Sequence, residues 1–526
     1  MACMLLQVIA LGFFLQVQPF DILIQHARIV DGSSNPWYQG DIGIKGDTIV
    51  AIGHLERVPA KSTIDAHGLT VAPGFIDIHT HSRRGIFQDP AAQNYIRQGV
   101  TTLIEGNDGS SPLPLAPFLK QVADAHPAVN FGTFVGQGSI RQQVLGLENR
   151  KATTEEIAKM KEIARQAMLD GALGLSSGLF YVPGNFTPTE EVIEIAKVVA
   201  GFGGMYISHM RDEAAGVLDS VRETIRIGEE GGLPTQVTHH KIIGAANWGK
   251  SVDTLRLVEE ARARGVDVTI DQYPYTASST GTAALFPQWS QAGGQKALLE
   301  RLAAPDQRTK IKAEIVQRIK VDRGGGDPKN VVMANCPFDT SLDGKNLADI
   351  TAAHGRPVTI ENAAETAIEI QQKGGCQAVY HAISEDDIER ILRSPYTMIG
   401  SDGEIPQFGH GAPHPRSYGT FSRVLARYVR DRKVLTLEDA VHKMSGYTSE
   451  RLQLFDRGLL RPGMKADIVI FDPAKIQDKA DYANPHQYAE GVVDLIINGQ
   501  RVIAGGQLTA ARPGRVLRSS ASVQIK

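Results

Sequence analysis

Histidine and aspartate residues with the spacing of metal ligands recur along this chain. His79 and His81 lie two residues apart in GFIDIHTHS, so on a β-strand both side chains point to the same face. His209 in YISHMRDE, His239 in TQVTHHK and Asp402 in IGSDG each follow a separate apolar run. Imidazoles and carboxylates suit zinc, as one or two ions, although other divalent metals accept the same ligands. The five residues together predict a hydrolytic metal site.

The elements that would position these residues have the pattern of a parallel α/β barrel. Helical stretches such as TTEEIAKMKEIARQAMLDG alternate with eight candidate strands: VAPGFIDIHTH, VTTLIEG, NFGTFVGQ, GALGLSSGL, MYISHM, PTQVTHHK, DVTIDQYPY and TMIGSDG. We predict a TIM-type (β/α)8 barrel over residues 66–454, with the site at the carboxyl ends of its strands. The gap between strands seven and eight is too long for one connection, so an insertion is expected at about 277–395.

Two segments far apart in the sequence have the character of an antiparallel sheet. Residues 21–65 alternate β-type runs with turns, as in DILIQHARIV and DIGIKGDTIVAIG, and residues 455–526 contain ADIVIFDP and VVDLIINGQRVIAGG. They are predicted to form one small β-sandwich beside the barrel.

The apolar segment 1–20, MACMLLQVIALGFFLQVQPF, has the character of a secretory signal sequence, yet no Lys or Arg precedes Arg28 and no A-x-A site is visible. It is either a signal peptide, which predicts export to the periplasm, or an N-terminal extension of a cytoplasmic protein. No later stretch reaches about 18 continuous apolar residues, so no stable membrane span is expected.

Composition narrows the possible partners. The chain has 55 Lys and Arg against 58 Asp and Glu, with a net charge of -3 and no basic tail, which argues against a nucleic-acid partner. Its three cysteines, Cys3, Cys336 and Cys376, have no CxxC spacing and argue against a disulfide scaffold or a zinc ribbon. Nothing in the sequence indicates the oligomeric state.

Seven motifs in order resemble the D-aminoacylase, or N-acyl-D-amino-acid deacylase, family of the amidohydrolase superfamily: VTTLIEGNDGSSP, GALGLSSGLFYVPG, YISHMRDE, TQVTHHK, DQYPYTASST, MIGSDG and HPRSYGTF. The resemblance implies a tightly held zinc on His209, His239 and a strand-two ligand. It implies a second, looser metal position on His79, His81 and Asp402.

The strand-two ligand departs from the family pattern. Many members have a cysteine in a GNCG-like motif, whereas Asp108 occupies that place in this chain, and a carboxylate is a harder ligand than a thiolate. Glu105, at the end of the same strand, is the rival for this role. His240 would point to the opposite face from His239 and is expected to be a buried hydrogen-bonding residue.

The resemblance implies hydrolysis of N-acyl-D-amino acids to a carboxylate and a free D-amino acid. A metal-activated water would attack, with Asp402 as general base and then general acid. Lys241, Tyr273 and Arg416 resemble the family's clamp for the free carboxylate of this small-molecule substrate. Alternatives are a dihydroorotase-like or hydantoinase-like cyclic amidase, although GALGLSSGL lacks their bridging lysine, a dipeptide-like substrate, or a non-catalytic scaffold.

Overall fold

The computed structural model describes residues 19–519, so the predicted signal peptide or N-terminal extension lies outside the described residues except at its last two positions. Among these residues, no helix has the length and apolar composition needed to cross a bilayer.

The strands are β1 Phe20–Ile29, β2 Tyr38–Lys45, β3 Thr48–Gly53, β4 Ala60–Asp65, β5 Thr70–Pro73, β6 Phe75–Asp77, β7 Val100–Glu105, β8 Asn130–Thr133, β9 Val135–Gly136, β10 Gly174–Gly178, β11 Met205–His209, β12 Thr235–Val237, β13 Val268–Gln272, β14 Ala277–Gly281, β15 Val331–Asn335, β16 Gln377–His381, β17 Thr397–Ile399, β18 Ile468–Phe471, β19 Val492–Ile497, β20 Gln500–Ala504 and β21 Gln507–Leu508. The α-helices are α1 Gln93–Ile96, α2 Leu115–Asp124, α3 Gln137–Leu145, α4 Thr154–Asp170, α5 Thr189–Ala200, α6 Val217–Gly231, α7 Ser251–Ala263, α8 Gly294–Ala303, α9 Pro305–Val321, α10 Leu347–Ala353, α11 Ile360–Gln372, α12 Glu385–Arg393, α13 Arg416–Arg423, α14 Leu437–Met444 and α15 Gly446–Arg451.

The barrel strands pair in parallel and in chain order. β6, β7 and β8 are neighbours, and β9 to β13 continue to β17, with only Phe134 between β8 and β9. The last strand meets the first where the Asp402 amide donates to the His79 carbonyl at 2.8 Å and Thr80 forms a parallel bridge with Gly403. Helices pack against the outside of these strands. One of them, α4, begins with a capping box formed by Thr153 and Glu156.

The terminal segments form one sheet of nine strands, in the order β21-β20-β19-β18-β5-β1-β2-β3 with β4 also on β1. The sheet is mixed and not purely antiparallel, since β4 and β5 run parallel to β1. The run predicted as barrel strand one divides at Gly74 into β5, in this sheet, and β6, in the barrel. A Cβ at Gly74 would lie 2.2 Å from Thr101 Cγ2, so only glycine permits this close passage.

The segment between β13 and β17 forms a layer of its own over the barrel. β14, β16 and β15 make an antiparallel sheet that packs with α8 to α11 around a separate apolar cluster. A disulfide joins Cys336 to Cys376 there. The spacing of the cysteines did not predict this bond, because the neighbouring strands β15 and β16 bring together residues 40 positions apart.

Candidate metal centre

The residues predicted as metal ligands meet at the carboxyl ends of the barrel strands. They form two groups that share Asp108, and within each group the ligand atoms lie within 4.8 Å of one another. The inner ligand group is Asp108, His209 and His239, and the outer ligand group is His79, His81, Asp108 and Asp402.

The inner ligand group is deeply buried. His209 ends β11 and His239 follows β12 by two residues, and His209 Nδ1 lies 2.7 Å from His239 Nε2. Asp108 approaches both rings, with Oδ1 at 3.3 Å from His239 Nε2 and Oδ2 at 3.6 Å from His209 Nδ1. Two imidazole nitrogens and a carboxylate therefore converge on one point.

The outer ligand group lies at the seam between the first and last strands. His81 Nε2 is 3.0 Å from Asp402 Oδ1 and 3.4 Å from Asp108 Oδ2. His79 Nε2 is 3.4 Å from Asp108 Oδ1 and 3.5 Å from Asp402 Oδ1. Burial alone would lower the pKa of His81, but the carboxylates of Asp108 and Asp402 raise it to about 9. The two carboxylates thus create a strongly cation-attracting position.

Three of the ligands have strained backbones. Asp108, His239 and Asp402 have φ values of 55°, 35° and 52°, in the left-handed region that non-glycine residues rarely adopt. Such conformations persist where surrounding contacts hold them, and they cluster at functional sites. At Asp108, the Asn107 side chain donates to the Ile104 carbonyl at 3.0 Å and fixes the turn.

Glu105, the rival strand-two residue, belongs to neither ligand group. Its Oε2 accepts the backbone amide of Arg83 at 2.9 Å, and its Oε1 lies 3.7 Å from Arg83 Nε. Glu105 therefore fixes the loop after His81, whereas Asp108 is the strand-two residue beside the histidines. His240 points away from the site, as expected, and its Nε2 is 2.8 Å from Thr254 Oγ1.

Glu213 is a member of the site that we did not single out in the sequence. Its Oε1 lies 3.1 Å from His239 Nδ1 and 2.5 Å from Lys241 Nζ, and its Oε2 lies 3.8 Å from His209 Nε2. Each inner histidine thus has one nitrogen towards Asp108 and the other towards Glu213. The motif YISHMRDE held the signal, since Glu213 lies four residues after His209.

Two further buried aspartates, Asp271 and Asp77, contact predicted ligands. Asp271 Oδ1 accepts the His239 amide at 2.7 Å and lies 3.4 Å from His79 Nδ1. Asp77 Oδ1 accepts the amides of His79 at 3.1 Å and Ser401 at 2.9 Å, and burial raises the pKa of Asp77 to about 7. Both aspartates orient ligands that the sequence had placed on strand ends.

Asp402 and Arg416 lie where two cavities meet. Arg416 Nη1 is 2.6 Å from Asp402 Oδ2. Burial alone would raise the pKa of Asp402, but Arg416 and His79 hold it well below its usual range, so the carboxyl group is ionised. A cavity of about 300 Å³ contains His81 and Asp108 in its wall, another of about 560 Å³ extends under the insertion, and Asp402 and Arg416 line both.

The other two residues of the predicted carboxylate clamp lie deeper. Lys241 Nζ contacts Glu213 and lies 2.8 Å from His239 Nδ1. The Tyr273 ring packs between Lys241 Nζ at 5.6 Å and the Arg416 guanidinium at 4.8 Å. Of the three, only Arg416 lines the two cavities.

The donor set fits a divalent metal. His79 Nε2 and Asp108 Oδ1, which lie 3.4 Å apart, are buried and have no hydrogen-bond partner among residues 19–519. Buried polar atoms without partners are costly, and converging imidazole nitrogens and carboxylate oxygens are the ligands that divalent metals take in hydrolases.

Comparison with known proteins agrees with this geometry. The model of the amidohydrolase family matches residues 62–503. The chain belongs to the amidohydrolase family. D-aminoacylase of Alcaligenes xylosoxydans xylosoxydans is 36% identical over 96% of this chain and 99% of its own length. N-acyl-D-aspartate deacylase of the same organism is 33% identical over 94% of this chain and 95% of its own length.

A solved structure is similar over nearly the whole chain. N-acyl-D-glutamate deacylase from Bordetella bronchiseptica, complexed with zinc and a phosphonate that mimics the tetrahedral intermediate, matches with a TM-score of 0.82 at 32% identity, covering 95% of this chain and 100% of that chain. The predicted family, fold class and enzyme class, an amidohydrolase acting on linear amides, are therefore confirmed, and a bound metal is supported.

Proposed function

We propose that this amidohydrolase cleaves the amide bond of N-acyl-D-amino acids and uses zinc. The observation that carries the proposal is the placement of the Asp402 carboxylate between His81 and Arg416, beside Asp108 and at the junction of two cavities. The named activities of the relatives and the zinc in the Bordetella bronchiseptica enzyme support the substrate and the metal. When bound, zinc would polarise the scissile carbonyl and lower the pKa of a water molecule.

The chain's own residues handle the proton and the substrate. Asp402 is ionised and can accept a proton from water, and the same carboxyl can then deliver that proton to the leaving nitrogen. Arg416 holds Asp402 in place and lines both cavities, so its guanidinium can also receive the free carboxylate of the substrate. Lys241 holds Glu213 and His239, and its predicted role in binding substrate remains a prediction together with that of Tyr273.

The test uses purified enzyme loaded with zinc. N-acetyl-D-methionine, N-acetyl-L-methionine, N-acetyl-D-glutamate and dihydroorotate would be supplied in turn, and released amine or ring opening would be measured. We expect turnover of D-substrates only. Turnover of dihydroorotate, or of the L-enantiomer at an equal rate, would contradict the proposal. Metal content per chain, measured on the same sample, separates a wrong substrate from an unloaded site.

A further inference from the structure

The backbone of Arg416, the residue proposed to receive the substrate carboxylate, is held by the ring of His414. Arg416 is the first residue of α13, so its amide has no acceptor within the helix. That amide donates to His414 Nδ1 at 3.0 Å. His414 and Arg416 are both buried, at 3% and 5% exposure. His414 therefore fixes the point from which the Arg416 side chain extends towards the cavities.

The other ring nitrogen of His414 reaches the insertion. Its Nε2 donates to the carbonyl oxygen of Ala277, the first residue of β14, at 2.9 Å. Because a carbonyl oxygen only accepts, Nε2 carries the proton, and Nδ1 is left to accept the Arg416 amide. Burial and the neighbouring Arg416 hold the pKa of His414 well below its usual value, which agrees with this neutral form. His414 thus joins the start of α13 to β14.

The guanidinium of Arg416 contacts the same strand of the insertion. Its Nη2 donates to the Ser279 carbonyl at 3.4 Å, two residues after Ala277 on β14. Its Nη1 lies 2.6 Å from Asp402 Oδ2. The main chain of Arg416, through His414, and its side chain, through Ser279, are both held by β14. The insertion therefore sets where this guanidinium lies in the wall of the two cavities.

Aromatic rings hold the His414 side chain in this orientation. Tyr275 and Tyr482 meet it edge to face, each with its ring centroid 5.3 Å away, and Tyr273 lies 6.1 Å away. Both nitrogens of the His414 ring are already bonded to main-chain groups, so the ring offers no free polar atom to a ligand in the cavity that it lines. Its effect on a substrate is therefore exerted through Arg416.

We propose that His414 is a positioning residue that orients Arg416 towards the free carboxylate of the substrate. The inference rests on the proposed function, because it concerns the recognition of that carboxylate. A guanidinium binds a carboxylate through two parallel hydrogen bonds, and these weaken when their geometry shifts. His414 makes that geometry depend on the packing of β14 against the start of α13.

The test compares two substrates that differ only in the carboxylate. Zinc-loaded enzyme would be supplied with N-acetyl-D-methionine or with the neutral N-acetyl-D-methioninamide, and kcat/KM would be measured from released acetate. The ratio of the two values isolates carboxylate recognition, because a disturbance of Asp402 affects both substrates alike. The variants are His414→Gln, which removes the acceptor at Nδ1, and His414→Asn, which can keep an acceptor there but does not reach Ala277.

His486→Gln is the matched control. His486 also joins α13 to another segment, but through Tyr418 Oη, 3.1 Å from its Nδ1, and the Gly411 carbonyl oxygen, 3.0 Å from its Nε2. We expect the wild type and His486→Gln to prefer the carboxylate substrate by the same factor.

We expect this preference to fall by about 10-fold or more in His414→Gln, and by a smaller factor in His414→Asn. An unchanged preference in folded His414→Gln, an equal fall in His486→Gln, or a wild type without the preference overturns the inference and leaves the proposed hydrolysis standing. If His414→Gln does not fold, the preference of His414→Asn decides in the same way. A wild type that does not cleave N-acetyl-D-methionine overturns the proposed function itself.

Discussion

The inner and outer ligand groups share Asp108 but have different surroundings. The inner histidines are 1% and 4% exposed at the side chain and are backed by Glu213. In the outer group His79 is fully buried, but His81 is 16% exposed and Asp402 is paired with Arg416 where the two cavities meet. A ligand set enclosed by carboxylates suits a retained metal, whereas a set open to a cavity suits chemistry on a substrate.

The largest effect is expected from replacing Asp108, the residue that both ligand groups share. Asp108→Ala should lower metal affinity at both positions by more than about 100-fold and reduce turnover accordingly, because one carboxylate faces all four histidines. Metal content after dialysis and kcat would be measured together. Asp108→Cys, the residue type that the family resemblance places here, should keep one metal and shift its preference towards softer ions. Full metal content in Asp108→Ala would refute the shared role.

Asp402→Asn should impair the outer ligand group and leave the inner ligand group intact. We expect kcat to fall by about 10²–10⁴-fold, because the amide cannot accept the proton, while the metal of the inner group remains. Asp387→Asn is the control, since Asp387 is also buried but its carboxylate bonds Gly249, Ser251 and Arg390 rather than a predicted ligand. Steady-state kinetics and metal analysis of both variants measure these two effects. An unchanged kcat in Asp402→Asn would exclude the proton-transfer role.

Glu213→Gln should weaken the inner group alone. Loss of its charge leaves Lys241 beside His239 without a counter-ion, so we expect metal affinity to fall by about 10–100-fold. Glu191→Gln removes half of another buried ion pair, with Arg141, and should leave metal affinity unchanged. Competition with a chelator measures both, and equal affinities in the two variants would make Glu213 merely structural.

The smallest effect is expected at His240, which adjoins His239 but points to the helices. His240→Gln should leave metal content and kcat unchanged and lower the free energy of unfolding by about 1 kcal/mol, since only the contact with Thr254 is disturbed. Denaturant unfolding would measure this, and a loss of metal would show that the two faces of this strand end are not independent.

The clustering of the predicted ligands could be anticipated from the sequence because each lies at the end of a recognisable strand. His79, His81, His209, His239 and Asp402 follow runs whose apolar pattern identifies strands, and parallel strands bring their carboxyl ends together. The barrel was predictable for the same reason, and the two ends of the chain were predicted to join because both contain short β-type runs separated by turns.

The features that the sequence did not predict depend on contacts between residues far apart in the chain. Lys241 is predicted to bind the substrate, and the sequence did not identify Glu213, four residues after His209, as the partner of its ammonium group. The division at Gly74 depends on the approach of Thr101, and the disulfide depends on the pairing of β15 with β16. Local spacing holds no information on such partners.

The order of the predicted ligands along the chain sets the order in which the site is synthesised, and the strand end that closes the barrel at Thr80 and Gly403 comes last. A ribosome has supplied every inner ligand once residue 239 is made, but Asp402 follows only after the whole insertion. A nascent or truncated chain that stops before β17 therefore contains all three residues of the inner ligand group and lacks Asp402, the proposed general base. Metal could be acquired at that stage, and hydrolytic competence would come last.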